Sequence, residues 1–148
     1  MTRHPTLLIA TTVLVLGTSP AAGQVRKEWG AQVTAVTGRP AFLGAGVVWG
    51  WRPGFRDRLV VHGALGAAEH QAAARVEASW QFLLSPQTES GVGAYIGGGI
   101  AGQFAETNHV WLLLAVGLEQ NPAGRRGWSL ELGLGGGVRL AVGYRWRR

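Results

Sequence analysis

The chain has no cysteine, which excludes a disulfide framework, thiolate chemistry and any metal site built on sulfur. Charge is scarce as well. Asp, Glu, Lys and Arg make up 15% of the 148 residues, too few for a disordered basic protein, which would also be poor in aromatics. Apolar runs long enough to cross a membrane as a helix are missing: Leu7–Leu16 falls short of the roughly 20 residues required. Helical periodicity is almost absent. Turn residues punctuate the chain at short intervals, but no linker or composition shift divides it, so its length implies one domain.

What is present is unusual. Glycine occurs 24 times, and seven tryptophans stand against four phenylalanines and two tyrosines. The formal net charge is +6, and the position of those charges matters more than their sum. The opening "MTRHPTLLIATTVLVLGTSPAAGQ" places Arg3 and His4 before a short apolar run, then Pro20 and small residues. This is the pattern of a secretory signal peptide over residues 1–23, leaving 24–148 as an exported mature chain.

Period-two alternation predicts eight strands, near 28–37, 41–51, 58–67, 72–84, 91–104, 108–119, 127–134 and 138–147. The segment "GALGAAEHQAAARVEAS" is the weakest of these assignments, because its Ala, Glu and Gln content also suits a short helix. Elsewhere the faces are distinct. Val110, Leu112, Leu114, Val116 and Leu118 oppose Trp111, Leu113, Ala115, Gly117 and Glu119. Val138, Leu140, Val142, Tyr144 and Trp146 oppose Arg139, Ala141, Gly143 and Arg145. One face is bulky and apolar, the other small or charged. A soluble barrel would turn the bulky face inward; a membrane barrel would turn it outward to lipid.

The aromatics decide between these. With the strands laid up and down, Trp29, Trp49, Trp51, Trp80, Trp128, Tyr144 and Trp146 all fall toward one end, whereas Trp111 lies near the other. A belt at one level is what a membrane interface selects, since indole rings settle among lipid headgroups. Beyond it, Arg26, Lys27, Arg52, Arg56, Arg58, Arg125, Arg126, Arg147 and Arg148 form an expected basic collar, suited to anionic lipid. Arg75, Glu77, Glu119, Glu131, Arg139 and Arg145 fall on the inner face, with Gln32, Gln81, Gln103 and His62. Three cations against three anions predict a charge-paired, plugged lumen. The expected fold class is therefore all-β: a single eight-stranded antiparallel up-and-down transmembrane barrel.

The terminal "VGYRW", Val142–Trp146, resembles the closing strand of small bacterial outer-membrane β-barrels of the OmpA/OmpX type. The resemblance extends globally to Gly-rich alternating strands, a signal peptide and the lack of cysteine; Arg147 and Arg148 run past the aromatic at which many relatives stop. It implies residence in the outer membrane, contact with its lipid, and handling by the barrel-assembly machinery. It also implies a non-enzymatic structural or envelope-interaction role, with an envelope polymer or another protein as a further partner.

Two alternatives remain open. A lipid-modifying hydrolase would draw on His62, His70 or His109 with Ser79, Ser85, Ser90 or Ser129, but no nucleophile-elbow pattern surrounds these serines. A soluble secreted barrel binding an apolar ligand would need the opposite facing. Nucleic acid is not expected, because cations and aromatics alternate on opposite faces rather than sharing one. No metal-ligand spacing or phosphate loop is present, and no cofactor is expected.

Overall fold

A computed structural model describes residues 26–148; the expected signal peptide, residues 1–23, lies outside the described residues. Eight strands follow one another: β1 (Arg26–Thr37), β2 (Phe42–Arg52), β3 (Asp57–Ala68), β4 (Gln71–Leu83), β5 (Val92–Phe104), β6 (His109–Gln120), β7 (Arg126–Leu134) and β8 (Val138–Arg147). Each pairs antiparallel with its sequence neighbour, and β8 returns to β1 to close a barrel. The ambiguous segment around Gly63–Ser79 is strand on both sides of a two-residue turn. Glu69 and His70 occupy that turn with φ of 47° and 73°, the left-handed pair that matches the twist of a tight hairpin. Alternating burial along β3 and β4 overrides the helix propensity of the alanines.

Following the pairing once around the wall links Lys27, Trp51, Leu59, Trp80, Gly98, Leu114, Leu134 and Val138, and returns to β1 at Thr37, ten residues further on. That stagger, for eight strands, tilts them by about 40–45° and leaves an interior only wide enough for side chains. Turns at the end remote from the termini are short, spanning 38–41, 69–70, 105–108 and 135–137; the terminal end carries 53–56, 84–91 and 121–125.

Polarity is reversed relative to a water-soluble domain. Leu112, Leu65, Val47 and Val110 are 80%, 75%, 71% and 71% exposed on the outer wall, while Arg58 and Arg75 are 0% exposed inside. A small apolar cluster of Val36, Phe42, Ala64, Ala68 and Ala73 fills the interior toward the far end. Most of the remaining lumen is polar. Charged side chains at this depth are tolerated only when paired, so the interior must form a connected network.

Candidate functional site: the charged lumen and the basic rim

Six arginines (52, 58, 75, 139, 145 and 147) and four glutamates (28, 77, 119 and 131) are buried in the lumen. They form a column along the barrel axis. At the far mouth Arg75 donates to the carbonyl of Gly135 at 2.7 Å and to Gln103 Oε1 at 3.2 Å, and its guanidinium lies 5.7 Å from the Trp111 ring. Its Nε donates to Glu77 at 2.7 Å. Glu77 also accepts from Arg139 and lies 3.5 Å from His62 Nδ1. Arg139 then reaches Glu131, which accepts from Tyr95 at 2.8 Å and from Gln81 at 3.1 Å.

Gln81 joins this layer to the next. It donates to Glu131 through its amide nitrogen and accepts from Arg58 Nε at 2.9 Å. Near the terminal end, Arg58 and Arg147 donate to Glu119 at 2.7 and 3.0 Å. Glu28 is surrounded by Arg52, by Arg58 at 3.4 Å, by Arg147 at 3.5 Å and by Arg145 at 3.8 Å. The Arg52–Glu28 contact is an ion pair without a hydrogen bond. Arg145 has no hydrogen-bond partner for Nε or Nη1 among the described residues and lies 5.9 Å from the Tyr95 ring.

The inner-face residues Arg75, Glu77, Glu119, Glu131, Arg139 and Arg145 are all in this column. Three residues expected in the collar are not outside. Arg52, Arg58 and Arg147 point inward because the alternation of β2, β3 and β8 runs unbroken to the strand ends. Burial would be untenable for them alone, and Glu28 and Glu119 supply the counter-charge. Glu28, absent from the expected network, is the residue around which these cations gather. It shares the inward parity of Gly30, Gln32 and Thr34, which is the signal that identifies it.

Glycine makes room for this network at one position in particular. A Cβ on Gly117 would lie 2.2 Å from the Tyr95 ring. Gly117→Ala is therefore expected to displace Tyr95 from Glu131 and to destabilise the barrel by about 1–3 kcal/mol. Urea unfolding of protein refolded in detergent micelles measures this, and an unchanged midpoint would contradict the packing described.

At the terminal end, Trp29, Trp49, Trp80, Trp128 and Tyr144 are exposed on the outer wall, with Trp51 and Trp146 half-buried beside them. Trp29 and Trp146 are cross-strand partners in the seam that closes the barrel, and their rings stack at 4.6 Å. Tyr144 packs edge-on against Trp146 at 5.0 Å. Outside this level lie Arg26, Lys27, Arg56, Arg125, Arg126 and Arg148, the remaining rim cations, none of them buried. Arg26 donates to the carbonyl of Ala123 at 2.9 Å.

The histidine and serine candidates are dispersed. His62 and Ser79 line the lumen. His70 occupies the β3–β4 turn, and His109 stacks on Trp111 at the far mouth. Ser85 and Ser90 lie on the 84–91 turn at the opposite end. No group of three or more His, Asp or Glu side chains able to hold a metal ion occurs among the described residues.

No family model matches the sequence, and no curated protein matches it. Solved structures do resemble it. The N-terminal β-barrel domain of Pseudomonas aeruginosa OprF superimposes with a TM-score of 0.61 at 11% identity, covering 84% of this chain and 100% of that one. Neisserial surface protein A gives a TM-score of 0.59 at 12% identity, covering 82% and 96%. With strand order, closure and stagger, these likenesses show that the chain has the fold of the small eight-stranded outer-membrane β-barrels.

Proposed function

We propose that this chain is an integral barrel of the bacterial outer membrane, with a non-enzymatic structural or envelope-interaction role. The observation that carries this reading is the reversal of polarity between an apolar outer wall and an ion-paired interior. Strands of 9 to 13 residues at the stated tilt suit an apolar band about 25 Å tall. Closure of the wall supports it too, because an open sheet edge in lipid would leave backbone groups unpaired.

The same column of side chains supports a plugged lumen. One void in the lumen, bordered by Gln32, His62, Glu77, Gln81, Arg139 and Arg145, measures about 10 Å³, the scale of a single water. This supports an interior that serves to stabilise the wall. Pairing of Glu77 and Glu131 with Arg75 and Arg139 favours a structural over a catalytic use of these carboxylates. In this reading Val142–Trp146 is the segment offered to the barrel-assembly machinery, and the rim of Arg26, Lys27, Arg56, Arg125, Arg126 and Arg148 faces the periplasm.

Cell fractionation tests the proposal. The protein is expected in the outer-membrane fraction, to require detergent for extraction, and to migrate faster on gels unheated than boiled. Recovery of folded protein from the periplasm in buffer alone would overturn it.

A further inference from the structure

At the rim, the β1–β8 seam and the 121–125 turn enclose a cleft of about 870 Å³. Its floor is the stacked pair Trp29–Trp146, and Arg26, Arg125, Arg126 and Arg148 line it. Arg125, Arg126 and Arg148 are exposed and form no ion pair among the described residues. Asp57, at the start of β3 and away from the cleft lining, accepts from Trp80, and Glu89 on the adjoining turn makes no ion pair with the cleft arginines. Three guanidiniums without an ion-pair partner among the described residues, beside two indoles, suit an anion attached to something amphipathic.

The cleft is held in shape by hydrogen bonds from residues other than those three side chains. Buried Arg147 donates from Nη1 to the carbonyls of Asn121 and Gly124 at 3.0 and 3.3 Å. Its amide donates to the carbonyl of Arg125 at 2.7 Å. Arg26 fastens Ala123 at 2.9 Å, and Lys27 and Arg148 exchange backbone hydrogen bonds at 3.2 and 3.0 Å. The turn is also tied to its neighbour through Ala123 N and the carbonyl of Thr88 at 3.1 Å. Such a site loses little conformational freedom when it is filled.

We propose that this cleft binds the phosphate headgroup of an anionic glycerophospholipid from the surrounding membrane. Guanidinium forks suit phosphate oxygens, and indoles suit the glycerol and ester level. Below the tryptophans the seam continues as an apolar wall, where Val33 pairs with Val142 and Ala35 with Leu140; the three larger side chains are 51%, 51% and 47% exposed. Acyl chains can follow that wall from the headgroup. This continuity from cations through indoles to aliphatic wall selects a lipid over soluble phosphate.

The inference rests on the membrane reading, and the experiment separates the two. Protein purified in a neutral maltoside detergent is titrated with short-chain phosphatidylglycerol, phosphatidylcholine or inorganic phosphate, and bound lipid is counted by native mass spectrometry. Phosphatidylglycerol is expected to bind on the order of tenfold tighter than phosphatidylcholine. The Arg125→Gln/Arg126→Gln/Arg148→Gln variant is expected to lose that preference, whereas Arg56→Gln, on a different turn, is expected to keep it. Heat-modifiable mobility verifies that each variant is folded. Equal binding of the two lipids, retention of the preference in the triple variant, its equal loss in Arg56→Gln, or displacement by millimolar inorganic phosphate would each overturn the assignment. Protein that stays folded without detergent would instead defeat the membrane reading itself.

Discussion

Glu28→Gln is expected to destabilise the barrel by about 3–5 kcal/mol, the usual consequence of removing one partner from a buried ionic group. The wild-type lumen already holds six arginines against four glutamates, so the substitution raises an existing imbalance. Four cations lose their shared anion, and three of them, Arg52, Arg58 and Arg147, retain Glu119. Arg145 retains no carboxylate within ion-pair distance, since Glu28 is its one ion-pair partner among the described residues. That asymmetry yields a sharper expectation. Removing Arg145 as well leaves five arginines against three glutamates, the original excess, so Glu28→Gln/Arg145→Gln should be more stable than Glu28→Gln alone. A coupling of roughly 0.5–3 kcal/mol is the range for residues in one network. Equilibrium unfolding in urea from detergent micelles measures all the species. A double variant as unstable as the sum of its singles would remove Arg145 from the network.

The same residues show how far the sequence alone could lead. Parity within each strand was legible: every second residue from Arg139 to Arg145 was assignable to one face, and that face is the lumen. Arg147 obeys the same rule, yet reads as a rim residue because it stands among other arginines at the chain's end. Arg52 and Arg58 mislead in the same way, flanking a Pro-Gly turn with Arg56 between them. The governing fact is that a long side chain at a strand's last inward position still reaches a carboxylate within the mouth. Which carboxylate it meets depends on the stagger between strands. Glu28 meets Arg52, Arg58 and Arg145 only once β1, β2, β3 and β8 are set in register, and no local pattern specifies that alignment. The β3–β4 turn was obscure for a different reason. Glu69 and His70 adopt positive φ without the Asn-Gly chemistry that usually announces such a turn, so the hairpin emerges from the pairing of its flanks.

Leu114→Arg gives the most direct measurement of what surrounds the outer wall. Leu114 is 61% exposed midway along β6, paired with Gly98 on one side and Leu134 on the other. Were this face in water, an arginine there would cost within about 0.5 kcal/mol of nothing, as surface substitutions generally do. In a bilayer it must be desolvated near the midplane, where the cost is about 2–4 kcal/mol, falling to about 0–1 kcal/mol toward the interface. Val92, 53% exposed at the start of β5 and near the tryptophan level, provides the internal comparison. Val92→Arg should be tolerated, because its guanidinium can rise among the headgroups. The expected result, from unfolding in phospholipid vesicles, is a large loss for Leu114→Arg and a small one for Val92→Arg. Equal and negligible losses at both positions would mean that the apolar wall does not face lipid. Equal and large losses would mean that it is packed against protein, because depth below an interface would then have no influence on the cost.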